Sequence, residues 1–204
     1  MLRRLFAPFA ALLLCGATNI AFADAEQPDV VIGRLSAEVV ELAKEKCVES
    51  GDVVAIMALV DRKLMPNVDF NRMTASAVGR PWREASPEQQ AQLKHEFKTL
   101  LVRSYAGVLT EARNLTISVR PLRMAAEDSE VTVRTAMNTG NGPIQLDYRM
   151  QKTADGWKIY DLNVLGVWLA QSYRGQFANE IQSKGIDGLI AALAERNNKA
   201  SAKG

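Results

Sequence analysis

The sequence predicts an α+β fold: a four-stranded antiparallel sheet with helices laid across one face. Three observations predict it. Three segments between Leu115 and Gln151 alternate apolar and polar residues with period two, the mark of strands with one dry face and one wet face. The segments before them repeat their apolar residues at helical spacing. Finally, Gly156 to Phe177 joins a β-branched and aromatic stretch, Trp157 to Val164, to a stripe of Leu169, Tyr173, Phe177 and Ile181, four residues apart. Gly166 stands at the join, where the chain must turn. A last strand therefore hands over to a helix that folds back on the sheet.

Residues 1–23 read as a cleaved secretory signal. Arg3 and Arg4 precede an apolar run from Leu5 to Cys15, and Ala21-Phe22-Ala23 ends it with a small-x-small site. The run is too short to span a bilayer well. Cys15 invites a lipidation reading, but a lipidated Cys normally follows a small residue and this one follows Leu14. Without the prefix, the 25 basic residues lose Arg3 and Arg4 and become 23, against 23 acidic. Zero net charge gives no support for nucleic-acid binding. The division expected is a signal at 1–23, one domain at 24–198 and a disordered tail at 199–204, with the polar, small-residue composition already setting in at Asn197. Cys47 alone survives processing, so no intramolecular disulfide can form. An export signal without disulfides fits a bacterial periplasm.

The mature chain opens with an amphipathic helix from Pro28 to about Ser50, with Val31, Leu35, Val39 and Leu42 on one side. Gly51-Asp52 breaks it, and Asp52 caps a second helix through Leu64 that Pro66 stops. Asp69 caps a short helix from Phe70 to Val78, ended by Gly79. Ser86-Pro87-Glu88-Gln89 is a capping box, with Ser at the cap, Pro at the first helical position and Gln at the third. The helix it opens runs to about Ala112 and carries Leu93, Phe97, Leu100, Leu101, Tyr105, Val108 and Leu109 on one face.

In the sheet, Leu115, Ile117 and Val119 form the first dry face. Val131, Val133 and Met137 form the second, and Ile144, Leu146, Tyr148 and Met150 the third. Turns fall at Glu127-Asp128-Ser129, Thr139-Gly140-Asn141-Gly142 and Ala154-Asp155-Gly156. The fourth strand breaks the pattern: Tyr160, Leu162 and Val164 share one face, yet Trp157 and Ile159 point the other way. Either the final helix covers the outer surface locally or the strand bends. Beyond Gln182 a last short helix carries Ile186, Leu189, Ile190 and Leu193, opened by Gly185-Ile186-Asp187.

Several chemistries fail on inventory. The single histidine, His95, falls on the polar side of the long helix. With one mature cysteine there is no partner set for a triad, a zinc site or haem attachment. No Gly-rich phosphate loop follows a strand.

Three groups of residues carry a family resemblance. The first is Pro66-Asn67-Val68-Asp69-Phe70-Asn71-Arg72-Met73 followed by Gly79-Arg80-Pro81-Trp82-Arg83. The second is Ser86-Pro87-Glu88-Gln89-Gln90 with Phe97 to Tyr105. The third is Asp147-Tyr148-Arg149, Gly156-Trp157-Lys158, Tyr160-Asp161 and Tyr173-Arg174-Gly175-Gln176-Phe177. In this order they resemble the MlaC, or toluene-tolerance, family of periplasmic phospholipid-binding proteins, over roughly Pro28 to Asn197. One departure stands out: where the family carries a small polar residue after the Gly-Val of the strand–helix junction, this chain has Trp168, a ring suited to a cavity mouth or a partner surface.

The resemblance implies a strongly curved sheet in a nuclear-transport-factor-like cone with an apolar cavity. It implies a periplasmic shuttle, not an enzyme, carrying phospholipid as cargo without a cofactor. Its partners would be an outer-membrane lipoprotein–porin complex and an inner-membrane ABC transporter with a lipid-binding subunit, and the system maintains outer-membrane lipid asymmetry. The lining expected is Phe97, Leu101, Tyr105 and Leu109 from the long helix, and Val131, Val133, Leu146, Tyr148 and Val164 from the sheet. Leu169, Tyr173 and Phe177 close it. Arg80, Arg83, Arg103, Arg149 and Arg174 are the cations available to a headgroup phosphate. The same apolar residues also suit an ordinary packed core. Two rival readings stand beside the carrier. One is a small enzyme of a cone-like fold with Asp161 or Asp147 as a buried base; the other is a ligand-free periplasmic adaptor.

Overall fold

The computed structural model describes residues 26–111, 115–139 and 142–201. The expected secretory signal, the centre of the 139–142 turn and residues 202–204 lie outside the described residues. Helix α1 (Pro28–Leu42) starts on its proline and buries Val31, Ile32 and Leu35. It does not run to Ser50 as expected. Lys44 and Glu45 close tight turns onto Glu41 and Leu42, and a separate turn of helix, α2 (Lys46–Glu49), follows. In a continuous helix Val48 would stand about 120° away from Leu42. The break swings Val48 into a second apolar cluster with Ile56, Val60 and Val102.

The capping residues perform as their chemistry demands. Asp52 accepts from the amides of Val54 and Ala55, both at 3.1 Å, and opens α3 (Val53–Lys63). Asp69 accepts from Arg72 N at 2.8 Å and opens α4 (Phe70–Val78), which ends at Gly79 with φ 77°. Ser86 and Gln89 exchange the two bonds of a capping box, 3.2 and 3.0 Å, at the head of α5 (Pro87–Glu111). His95 is exposed on that helix.

The sheet is an antiparallel meander in the order β1 (Thr116–Val119), β2 (Glu130–Thr139), β3 (Gly142–Thr153), β4 (Gly156–Val164) and β5 (Val167–Trp168). It has five strands, not four: after Val164 a two-residue turn returns the chain so that Val167 and Trp168 pair with Val164 and Asn163. Both explanations for the irregular fourth strand hold together. Arg149 pairs with Asp161 and Met150 with Ile159, which leaves Tyr160 as an extra residue in a β-bulge. Trp157 and Ile159 therefore face the core before the bulge, and Leu162 packs against it afterwards. On the opposite face Asp161 and Asn163 are buried as well, because β5 and the next helix close over them. Ala170 N donates to Asp161 Oδ1 at 3.1 Å, and Gly166 N to Asn163 Oδ1 at 2.8 Å.

Helix α6 (Leu169–Ser201) is broken at Gly185, φ 72°, where the sequence asks for a new helix. Its second half is tied to α5 at both ends. Gln89 Nε2 donates to Asp187 at 2.7 Å, and Asn197 Nδ2 donates to the Glu96 carbonyl (3.0 Å) and carboxylate (2.7 Å). Asn197 is thus buried and anchored, although the polar, small-residue composition already sets in there; composition alone conceals a partner 101 residues away. The main core lies between the inner face of the sheet and α1, α4, α5 and α6. Among the described residues, no helix is long and apolar enough to cross a membrane.

Candidate functional site

Phe97 of α5 is fully buried and organises the interior. Its ring centroid lies 5.0 Å from Tyr173 and 5.3 Å from Phe177, both nearly edge-on, and 5.9 Å from Phe70. Helical spacing on α6 places Tyr173 and Phe177 one turn apart, so both reach one ring on α5. Val133 belongs to this same cluster, and Leu101, Val131 and Tyr148 pack against it. Leu169 is buried at the start of α6, outside the cluster, while Leu146 and Val164 are half-buried. Tyr105 is half-buried farther along α5, its hydroxyl pKa pushed up by burial and then by Tyr173. The side chain of Leu109 lies outside the described residues. Phe70, Met73 and Trp157, outside the expected lining, also face this interior. The spacing of Phe70, Met73 and Ala77 is the signal that would have found the first two.

An open cleft of about 610 Å³ separates α1 from the edge strand β1. Gly33, Ser36, Ala37 and Val40 form one wall and Leu115, Thr116 and Ile117 the other, with Arg34, Glu38, Glu41 and Lys63 among the residues around it. None of the expected lining residues borders this cleft. Arg34 is already engaged, 3.0 Å from Glu26 and 3.1 Å from Glu38. Ser36 Oγ is buried in the wall, its neighbour there the Tyr148 hydroxyl. Behind it stands Tyr148, whose hydroxyl pKa is pushed up chiefly by burial and held back by the neighbouring Ser36 and Thr135 hydroxyls.

The five expected headgroup arginines do not converge. Arg80 and Arg83 are exposed on a 3-10 turn, and the exposed Arg174 lies beside Gly79. Arg103 is half-buried on α5, its Nε without a partner among the described residues. Arg149 is on the outer face of the sheet, 3.4 Å from Asp161 and stacked 3.9 Å from the Trp168 ring centroid. Trp168 thus covers a cation on the outer face. A second stack lies nearby, Arg72 over Tyr160 at 3.6 Å, with Glu130 accepting from both side chains and Gln151 bridging Arg72 and Asp69.

Asp147 and Asp161 belong to this outer face, opposite the aromatic cluster. Burial raises the Asp161 pKa, and the amides of Ala170 and Leu162 and the Arg149 guanidinium oppose that rise. Asp147 accepts from Gln145 at 2.6 Å through Oδ2, and its Oδ1 is buried without a partner among the described residues. Neither carboxylate faces the apolar interior that a desolvated base requires.

The family described as MlaC protein matches residues 34–195. The toluene tolerance protein ttg2D of Pseudomonas putida is 27% identical over 179 residues, covering 86% of this chain and 83% of that one. The intermembrane phospholipid transport system binding protein MlaC of Haemophilus influenzae is 24% identical over 144 residues, 69% and 67% of the two chains. A phospholipid-binding protein from Ralstonia solanacearum, solved in complex with a phospholipid, superposes with a TM-score of 0.81 at 40% identity. That likeness covers 88% of this chain and 99% of the other.

Proposed function

The chain belongs to the MlaC family, and from that premise we propose that it is a phospholipid carrier. Its acyl tails lie between the inner face of the sheet and helices α1, α4, α5 and α6. The observation that carries this reading is the Ralstonia likeness, a chain of the same fold and 40% identity that holds a phospholipid. The physical need agrees with it. Hiding acyl chain from water is worth ~0.8 kcal/mol per CH₂, so a two-tailed lipid brings on the order of 20 kcal/mol of apolar surface. Only an interior can take that much.

Phe97, Leu101, Tyr105, Leu109, Val131, Val133, Leu146, Tyr148, Val164, Leu169, Tyr173 and Phe177 are the lining we propose. In the described state the rings touch one another, so tails must part them. The cleft between α1 and β1, where the layers already stand apart, is the mouth. Release into water is slow for the same reason that uptake is favourable, so transfer takes place against a membrane or a membrane protein. In its cellular setting the protein is exported by a signal cleaved after Ala23 and works in the periplasm. There it moves phospholipid between an outer-membrane lipoprotein–porin complex and an inner-membrane ABC transporter, maintaining outer-membrane asymmetry. No catalytic step is assigned to it.

One observation favours a second reading. The aromatic interior is packed, as it would be in an adaptor that holds no ligand. Native mass spectrometry of protein purified from the periplasm without detergent separates the two. A mass excess that extracts as diacyl phospholipid is the expected result. Bare protein, still bare after incubation with phospholipid vesicles, would leave the adaptor reading in its place.

A further inference from the structure

Four large apolar side chains are exposed among the described residues, and two of them, Leu165 (67% exposed) and Val167 (54%), fall in one hairpin tip. The tip comprises the two-residue turn between β4 and β5 together with Val167, which opens β5. Both turn residues have positive φ, 53° at Leu165 and 89° at Gly166. Glycine takes that conformation freely, whereas a bulky side chain is strained by it. Asn or Gly at position 165 would relieve the strain, and an exposed side chain has no packing to lose. A residue both strained and exposed stabilises nothing in the folded protein, so its identity points to a function.

The backbone beneath it is fixed. Leu165 N donates to Gln145 O at 3.2 Å, Gly166 N donates to the buried Asn163, and Trp168 is clamped on Arg149. The twelve residues from Leu162 to Tyr173 carry no charge, and a charge there would oppose insertion into hydrocarbon.

We propose that this tip is a contact with a lipid bilayer: Leu165 and Val167 enter the interfacial region and hold the protein against the membrane. The tip suits a bilayer better than a protein. Two side chains on a projecting turn fall far short of the roughly 800 Å² per partner that a stable protein interface buries. A bilayer accepts single apolar side chains, and the preformed turn loses little freedom on insertion. The proposal concerns adsorption and does not depend on which cargo the interior holds; mass spectrometry tests the cargo separately.

The test is flotation of the purified exported protein with vesicles of phosphatidylethanolamine and phosphatidylglycerol, for wild type, Leu165→Asn and Val54→Asn. Val54, 80% exposed at the start of α3, is the control for exposed apolar surface in general. Wild type floats with the vesicles. Leu165→Asn lowers partitioning about tenfold or more, the loss expected for a leucine-sized side chain. It also raises Tm by roughly 2–4 °C, because Asn tolerates the left-handed conformation. Val54→Asn leaves flotation unchanged. The proposal is overturned if wild type does not float, if Leu165→Asn floats like wild type or melts lower, or if Val54→Asn loses as much. Loss only on vesicles that carry a protein receptor would assign the tip to a protein interface and overturn it equally.

Discussion

The two edges of the sheet are closed by different physics. Along the part of β4 that the two residues of β5 do not reach, the closure is polar and directional. Asp69 N donates to Ile159 O at 2.8 Å, Lys158 Nζ to Pro66 O at 2.6 Å, and Ala170 N to Asp161 at 3.1 Å, while Gln151 bridges Asp69 and Arg72. At the β1 edge no hydrogen bond joins α1 to the strand among the described residues; Gly33 lies near Val119, and a cleft of about 610 Å³ stands between the walls. Hydrogen bonds hold one geometry, whereas apolar surfaces can slide with little change in energy. A molecule that admits a large apolar guest should therefore hinge on the first edge and open at the second.

The largest effect falls where both halves meet. Phe97→Ala removes the ring that touches α4 and α6 together, and should cost ~3–5 kcal/mol in urea unfolding. A cost under 1 kcal/mol would mean the interior is already loose. On the closed edge, Asp69→Ala loses both the helix cap and the Gln151 bridge, and about 2 kcal/mol of stability by the same measurement. On the open edge, Ala37→Trp fills the cleft. It should reduce phospholipid uptake from vesicles about tenfold, an estimate of how strongly a blocked mouth hinders loading, with little change in Tm. Uptake equal to wild type would move the mouth elsewhere. Ser36→Ala should change stability by less than ~1 kcal/mol, since the neighbouring Tyr148 hydroxyl is the one group its buried hydroxyl meets among the described residues.

The polar side of the sheet should also show opposite pH slopes at two carboxylates. The Asp161 pKa lies above its ordinary 3.8 through burial, so its contribution to stability is full below that value and is lost as pH rises through the folded pKa. The Glu130 pKa lies below its ordinary 4.5 through its bond from Arg72, so its contribution is present above 4.5 and is lost as pH falls through the folded pKa. Asp161→Asn should therefore make the stability profile rise more steeply with pH just above pH 4, and Glu130→Gln should flatten it below pH 4.5. Unfolding midpoints measured across pH 3–6 on both variants check the signs; a matching shift in both would break the contrast.

What was legible in the sequence was local. Asp52, Asp69 and the Ser86–Gln89 box announce helix starts because the acceptor and its amides lie within three residues. Gly185 announces the break in α6, and period two places Val133 and Tyr148 on the inner face. The features that escaped depend on partners far along the chain. The Tyr160 bulge exists only in the pairing of β3 with β4, and β5 is two residues long. The anchor at Asn197 needs Glu96, and the end of α1 is set by where Val48 finds its cluster. For the site, one helical stripe carries Phe97 and another Tyr173 and Phe177, and the three rings meet in space. Nothing in the spacing of the five arginines says which face they share, and they disperse. The cleft was invisible because it is the absence of packing between two elements that are 73 residues apart from Leu42 to Leu115.

The most direct test of the account is a pair of distances read by spin labels on the protein before and after phospholipid loading. One pair, Ala37 and Ser118, spans the open edge; the other, Asn71 and Asp155, spans the closed one and leaves its hydrogen bonds in place. Loading should widen the first distance and leave the second unchanged. Phospholipid bound with the first distance fixed, or with the second widened, would contradict it.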